Sequence, residues 1–303
     1  MKKRSSIYRK YVLLVVALVG GALIVSGIAS MYRSYIETRS ALLAVEREHA
    51  VSASIRIENF IQEIERQIGW TLFPQADATT DPLVARRNDL VKLGVQVKAI
   101  TEATYIDAQG RAQLRESRLE MTVKRSGIDL SDDPRFKVAS EGRTYFGPVY
   151  FRNESEPYMA IAVPARRQAD GVTAVEVNLK FMQEVIERIH VGKTGFAYVV
   201  DRQGRLIAHR DISLVLQKTD LSTLPQVKAA LSRKAARGEQ PLRVTEARDR
   251  AGKSVLTAYA AIEALNWTVF VEQSVEEVYA PLYATLIRTG GLLVAGLLLS
   301  MLA

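Results

Sequence analysis

The chain has 303 residues, of which 48% are hydrophobic, with a formal net charge of +8 and no cysteine. This length allows two modest domains or one large one, and the absence of cysteine excludes disulfide frameworks and thiolate metal sites. The charge does not indicate a nucleic-acid partner, because no basic stripe interleaved with aromatic residues occurs in the body of the chain. A basic cluster instead occupies the N-terminus, which we interpret as a cytoplasmic tail formed by residues 1–10: Lys2, Lys3, Arg4, Arg9 and Lys10.

Residues 11–31, YVLLVVALVGGALIVSGIASM, contain no charge and are long enough to cross a bilayer as a helix, which takes ~20 residues. Four tyrosines flank the stretch as interfacial aromatic residues do: Tyr8, Tyr11, Tyr32 and Tyr35. A cleaved signal peptide is the alternative, with Gly27 and Ala29 as small cleavage-site residues, but its apolar core is normally only ~7–15 residues. We therefore predict a retained transmembrane helix in the bacterial inner membrane. The basic tail places its N-terminus in the cytoplasm and the following domain in the periplasm or outside the cell.

The last 15 residues, TGGLLVAGLLLSMLA, are also uncharged and follow Arg288. They are shorter than a membrane span, so we expect residues 276–303 to form an exit helix and the beginning of a second transmembrane helix that is cut short. A complete protein with a short tail anchor is the alternative. Two spans would leave residues 32–275 outside, an arrangement suited to passing a signal across the membrane.

Between the spans, residues 32–73 show a helical pattern in which apolar residues recur every seven positions: Ile36, Leu43, Ala50, Ile57 and Ile64. Such a helix either packs on its own domain or pairs with the same helix of a second copy as a dimer stalk. The two interpretations can also apply to different halves of the helix. The segment FPQADATTDPL at 73–83 contains two prolines and ends the helix. A short helix is expected from Leu83 to Ala99.

A hairpin signal occurs twice, as DAQGR at 107–111 and DRQGR at 201–205, where the aspartate can accept backbone hydrogen bonds and the glycine can take a positive φ. Strand patterns follow the first copy in TYFGPVYF, EPYMAIAVPAR and GVTAVEVNL, before the amphipathic helix KFMQEVIERIH. After the second copy, the helix LPQVKAALSRKAARG precedes strands in PLRVTEA, SVLTAYAAIEAL and NWTVFVEQS. We predict an α+β fold, with two tandem antiparallel-sheet units at 74–190 and 191–275.

These residues resemble the double Cache family, whose members carry two PAS-like units as extracytoplasmic sensors of bacterial receptors. The resemblance covers about residues 33–285 and is carried by GKTGFAYVVDRQGRLIAHRD in the second unit and DLSDDPRFKVASEGRTYFGPVYF in the first. The phrase HRDISLVLQKTDLSTLPQV is similar to Cache-bearing sensor histidine kinases of two-component systems. The resemblance therefore implies the sensing and transmembrane signalling part of such a kinase. A chemoreceptor or a cyclic-nucleotide enzyme is the alternative output, and a membrane-anchored exported enzyme or assembly factor is the alternative of another class.

The resemblance also implies that the first, membrane-distal unit holds the ligand. The amino-acid-binding branch reads Arg-x-Trp-Tyr with a late-strand aspartate, whereas this chain has Asp133-Pro134-Arg135-Phe136 and Glu176. Arg135 can pair bidentately with a carboxylate ligand, and a solvated position on the surface is its alternative role. Glu176 is expected on the strand face opposite Val175 and Val177, where a ligand, a salt bridge or solvent would satisfy it. The full set of candidate ligand-binding residues is Arg135, Phe136, Tyr145, Tyr150, Tyr158 and Glu176; plain sheet packing is the alternative role of the three tyrosines.

Catalytic signatures are absent from the sequence. His49, His190 and His209 have no metal-ligand spacing, and no G-x-S-x-G, phosphate loop or nucleotide-binding glycine run occurs. We expect no catalytic residue, metal or cofactor in these 303 residues. The expected partners are a small-molecule ligand such as a carboxylate, the lipid bilayer and a second copy of the chain.

Overall fold

The computed structural model has an α+β fold with one long N-terminal helix and two antiparallel sheets, which confirms the predicted fold class. It describes residues 4–71, 81–118, 123–124, 127–152, 156–165, 171–189, 191–234 and 244–302. Residues 73–80 of the segment predicted to end the first helix, and His190, lie outside these residues.

Seven α-helices occur among the described residues: α1 Arg4–Thr71, α2 Pro82–Gln96, α3 Pro134–Ser140, α4 Lys180–Glu187, α5 Ile212–Leu216, α6 Pro225–Lys234 and α7 Val275–Leu302. The strands of the first sheet are β1 Ile100–Ile106, β2 Ala112–Ser117, β3 Val123–Lys124, β4 Tyr145–Phe146, β5 Tyr150–Arg152, β6 Glu156–Pro164 and β7 Val172–Asn178. Those of the second are β8 Phe196–Val200, β9 Leu206–His209, β10 Thr245–Arg248, β11 Ser254–Ile262 and β12 Trp267–Ser274.

Helix α1 runs without a break from Arg4 to Thr71, so no boundary separates the predicted tail, transmembrane helix and stalk. No proline occurs in this stretch to interrupt the hydrogen-bond ladder. Its second half carries the seven-residue pattern into the core, where six side chains are buried: Ala50, Ala53, Ile57, Ile61, Ile64 and Ile68. This half packs on its own domain, whereas Ile36 in the first half is exposed. Pairing of that first half with a second copy stays a prediction.

Both sheets are antiparallel throughout and contact α1. The first has the order β3-β2-β1-β7-β6-β4, with β5 also paired to β6, and the second has the order β10-β11-β12-β8-β9. In each sheet the last strand of the unit (β7 or β12) lies beside the strand that opens the unit (β1 or β8). The two sheets thus repeat one arrangement around a shared helix.

The two D-x-Q-G-R turns have the same geometry. Oδ1 of Asp107 accepts hydrogen bonds from the Gln109 and Arg111 amides at 3.0 and 2.8 Å, and Asp201 repeats both contacts at 2.9 Å. Gly110 and Gly204 take φ values of 82° and 88°, which side-chain-bearing residues rarely adopt. The structure therefore confirms both predicted hairpins.

Helix α7 contains the stretch Val275–Gly296, which among the described residues is the one helical segment long and apolar enough to span a membrane. It contacts α1. The span predicted at 11–31 lies within α1 and stays a prediction.

Candidate functional site

One face of the first sheet carries charge, and the other packs against α1. Val175 and Val177 of β7 belong to the main core, so Glu176 between them points to the opposite face, as the alternation predicted. Glu176 lies directly across from Glu102 of β1. Over this face lies a cavity of about 330 Å³, here called the charged cavity. Its lining consists of Glu102, Thr104, Ile106, Ala112, Arg115, Ile128, Leu130, Arg135, Tyr150, Arg152, Ala174 and Glu176.

Arg135 reaches the charged cavity from the first turn of α3. Asp133 caps this helix by accepting a hydrogen bond from the Arg135 amide at 2.8 Å, and Pro134 fits the first helical position. The Arg135 guanidinium folds back to donate to both Asp133 oxygens, at 3.0 and 2.8 Å, and reaches Oε1 of Glu176 at 3.0 Å. With 28% of its side chain exposed, Arg135 faces the cavity while two carboxylates hold it in place.

Glu176 is held by one cation and one hydroxyl. Besides the Arg135 contact, its Oε2 accepts a hydrogen bond from the Tyr150 hydroxyl. Only 12% of the Glu176 side chain is exposed. Burial raises its pKa, while the Tyr150 hydrogen bond and the Arg135 charge act in the opposite direction. Burial, followed by the hydrogen bond to the same carboxylate, raises the pKa of Tyr150, so this hydroxyl remains a hydrogen-bond donor.

A second ion pair lines the charged cavity and was missed in the sequence. Arg115 of β2 donates to both oxygens of Glu102 at 2.7 and 2.8 Å, and Arg152 of β5 lies 3.8 Å from the same carboxylate. The feature of the sequence that could have indicated this ion pair is Glu102, the single acidic residue of the buried strand ITEATYI. Three arginines therefore lie at one cavity together with the carboxylates of Glu102, Glu176 and Asp133, and the rest of its lining is mostly apolar.

The other candidate residues lie beside the charged cavity and do not line it. Tyr158 is buried, accepts a hydrogen bond from Asn178 at 3.2 Å and stacks at a tilt on Tyr150, 6.1 Å between ring centroids. Phe136 and Tyr145 pack on a small apolar cluster formed by Ile106, Ala139, Ala162, Val172 and Ala174. Phe136 also lines a separate cavity of about 280 Å³ next to Gly171. Of the six predicted residues, Arg135, Tyr150 and Glu176 come together in one lining.

This arrangement can recognise charge and hydrogen-bonding groups. No group of three or more histidine or acidic residues able to hold a metal occurs within the described ranges. The arginines already contact carboxylates inside the protein, so a ligand carboxylate that displaces one of them is accommodated best when another group of the ligand satisfies the displaced side chain.

The model of the family described as Cache domain matches residues 29–282 of the chain. A search of curated proteins found no match.

Solved structures share the fold. The ligand-binding domain of the Campylobacter jejuni chemoreceptor Tlp3, in complex with 4-methylisoleucine, superposes with a TM-score of 0.60 at 11% identity, over 80% of this chain and 94% of the other. That of the Pseudomonas aeruginosa PAO1 amino acid chemoreceptor PctB, in complex with L-Arg, gives 0.57 at 18% identity over 80% and 98%. The extracellular domain of a protein named as the histidine kinase mmHK1S-Z2 gives 0.58 at 16% identity over 77% and 97%.

Proposed function

The chain belongs to the double Cache family of sensor domains, and from this membership we propose that the charged cavity is its ligand pocket. Double Cache domains are extracellular ligand-sensing parts of histidine kinases and chemoreceptors, so the chain is the non-catalytic sensing part of such a receptor. The observation that supports the pocket is the meeting of Arg135, Glu176 and Tyr150 in one concave, partly exposed lining. The proposed ligand is a small molecule with a carboxylate.

The charge pattern indicates how such a ligand would sit. Its carboxylate would pair with the guanidinium of Arg135, replacing the Glu176 contact. A ligand that also carries an ammonium group would then satisfy Glu176 or Glu102. Amino acids combine both groups, and the solved Tlp3 and PctB domains contain amino acids or a derivative. Amino acids are therefore the first ligands to test, although the Arg-x-Trp-Tyr pattern is absent here.

For the whole receptor, we propose a two-component histidine kinase anchored in the inner membrane, with its N-terminus in the cytoplasm. The similarity of residues 209–227 to Cache-bearing kinases supports this output over a chemoreceptor or a cyclic-nucleotide enzyme. An exported enzyme or assembly factor has no support from the described residues, where no catalytic constellation occurs.

Contact between α1 and α7 provides a route to the membrane, since a ligand that favours one packing of these helices would shift their equilibrium. The first half of α1 is the proposed dimer contact.

Thermal melting tests the pocket. The 303-residue chain in lipid nanodiscs would be heated with the twenty amino acids and with short mono- and dicarboxylates, following the fluorescence of the buried Trp267. A ligand that binds only the folded state raises the melting midpoint. At a ligand concentration of 100 times its Kd, the free energy of unfolding increases by about 2.7 kcal/mol. Glu176→Gln is expected to alter which compounds shift the midpoint. If a compound shifts the midpoints of Glu176→Gln and Arg135→Ala as much as that of the wild type, it binds elsewhere. If none of the compounds shifts the wild-type midpoint, carboxylate sensing is contradicted.

Stability is also expected to depend on pH through Glu46 of α1. This side chain is buried, and its Oε2 has no hydrogen-bond partner in the part of the chain that the structure describes. Burial, followed by the charge of Glu277 at the start of α7, raises the pKa of Glu46 to about 7. Because the folded state holds the proton more tightly than the unfolded state, stability should fall as the pH rises from about 4.5 to about 7. Glu46→Gln should remove this fall and stabilise the protein at pH 8 by about 1–2 kcal/mol.

The measurement is the difference in melting midpoint between variant and wild type at pH 5 and pH 8. The exposed Glu48 of the same helix provides the matched control, Glu48→Gln. Equal differences at both pH values for Glu46→Gln would show that Glu46 does not titrate in this range. The result bears on signalling because Glu46 and Glu277 lie on the two helices proposed to transmit the signal and repel each other when both are charged.

A further inference from the structure

The second sheet contains a cavity of its own, of about 380 Å³, here called the second cavity. We propose that it is a second ligand site, built on the same plan as the charged cavity but suited to a small organic cation with an apolar body. Its lining consists of Phe196, Tyr198, Leu206, His209, Leu214, Leu221, Leu224, Asp249, Arg250, Ala251 and Glu272.

Glu272 occupies the position in the second sheet that Glu176 occupies in the first. Glu102 and Phe196 each lie five residues before the aspartate of their D-x-Q-G-R turn. Glu102 pairs across the strands with Glu176, and Phe196 pairs in the same way with Glu272. The last strand of each sheet therefore places a glutamate, Glu176 or Glu272, at the equivalent pairing position, where it lines the cavity of its own unit.

The residue that contacts this glutamate is also equivalent in the two units. The segments DLSDDPRF (129–136) and DLSTLPQV (220–227) follow the two turns. The Leu130 amide donates to the Gly110 carbonyl at 2.7 Å, and the Leu221 amide donates to the Gly204 carbonyl at 2.9 Å. A helix begins at the proline of each segment, which places Gln226 where the first unit has Arg135.

The contacts repeat with one change of charge. Nε2 of Gln226 donates to Oε1 of Glu272 at 3.1 Å, as NH1 of Arg135 donates to Oε1 of Glu176 at 3.0 Å. Tyr198 donates to the same Glu272 oxygen at 2.6 Å, and Thr257 approaches it at 3.5 Å. The first unit thus supplies a cation to its glutamate, whereas the second supplies only neutral donors.

Among the described residues, Glu272 therefore has no cationic partner for its charge. Only 2% of the residue is exposed, and no lysine or arginine forms a salt bridge with it in the part of the chain that the structure describes. All three side-chain donors converge on Oε1, and Oε2 accepts none among the described residues. In addition, Oε1 of Gln226 is buried without a partner. An unpaired buried carboxylate is costly, and a ligand that brings a cation removes that cost.

The remaining lining fits the body of such a ligand. Leucines form much of it, and the rings of Phe196, Tyr198 and His209 cluster, with 5.2 Å between the Phe196 and His209 centroids. Aromatic faces near a carboxylate attract cations through the ring quadrupole. The charged residues Asp249 and Arg250 also line the second cavity; Asp249 is half-buried and Arg250 is exposed. Around the buried Glu272, the lining is therefore largely apolar and aromatic.

Isothermal titration with isopentylamine tests the proposal, using the 303-residue chain in nanodiscs and empty nanodiscs as the blank. The uncharged analogue 3-methylbutan-1-ol has the same apolar body and should bind at least about tenfold more weakly, because it lacks the cation. Glu272→Gln should weaken amine binding at least about tenfold and leave alcohol binding unchanged. Glu176→Gln is the matched control at the equivalent position of the first sheet, and it should leave isopentylamine binding unchanged.

Gln226→Arg keeps the test independent of any folding defect in Glu272→Gln. It installs in the second unit the residue found in the first, so its guanidinium should pair with Glu272 and abolish amine binding. The proposal would be overturned by no isopentylamine binding by the wild type up to about 10 mM, by equal affinities for amine and alcohol, or by unchanged amine binding in Gln226→Arg. Loss of amine binding in Glu176→Gln alone would assign the amine to the charged cavity instead. Carboxylate binding at the charged cavity is measured separately, so either site can fail without the other.

Discussion

Replacing Arg135 with alanine is expected to weaken binding of a carboxylate ligand by about 10- to 100-fold, which corresponds to the loss of a charge-assisted, bidentate contact. The guanidinium is the group of the charged cavity that α3 and Asp133 hold in a fixed orientation. Without it, Glu176 would repel an anion from the same space. Titration calorimetry with the strongest compound from the melting screen measures the change.

The matched control is Arg143→Ala. Arg143 also lies near α3 and pairs with a nearby acid, Glu141, but 69% of its side chain is exposed and it does not line the charged cavity. It should bind the ligand as the wild type does. Arg135→Lys should recover only part of the affinity, because an ammonium group cannot form the planar two-point contact. Wild-type affinity in Arg135→Ala would remove Arg135 from the site.

Gly171→Ala is expected to destabilise the protein by at least about 3 kcal/mol, lowering the melting midpoint by roughly 6–12 °C. Gly171 precedes β7 with φ at +78°, and its backbone lies against the end of β1. A Cβ atom there would overlap the carbonyl oxygen of Ile106 and touch Asp107 of the first turn. The pairing that places Glu176 opposite Glu102 would have to shift.

Gly142→Ala separates the two causes of that destabilisation. Gly142 also has a positive φ, of +85°, but a Cβ atom there meets nothing within 4 Å. Its substitution should therefore cost only the backbone strain, about 1 kcal/mol. Melting midpoints of the two variants, measured side by side, give the steric contribution as their difference. Equal midpoints would mean that the Ile106 carbonyl moves away without cost.

The predictions that succeeded rest on patterns of short range. Alternation along AVEVNL gave the direction of Glu176, and the D-x-Q-G-R turns gave both hairpins, because strand pleat and turn conformation depend on a few neighbouring residues. The seven-residue pattern gave the buried face of α1 for the same reason. Phe136 shows the limit of this reasoning. It follows Arg135 in the chain, yet successive helical residues point in different directions, so Phe136 packs on the apolar cluster beside the charged cavity.

The sequence by itself determined the α+β class, the repeated unit and the presence of charged residues within apolar strands, since composition and period depend on the chain alone. Only the tertiary structure decided which polar side chains meet. Arg135 and Glu176 lie 41 residues apart, and Gln226 and Glu272 lie 46 apart. Their contacts depend on the register between β1 and β7 and between β8 and β12, and on where α3 and α6 cross the sheets. These choices follow from burying the whole apolar surface against α1, a condition that no local segment contains.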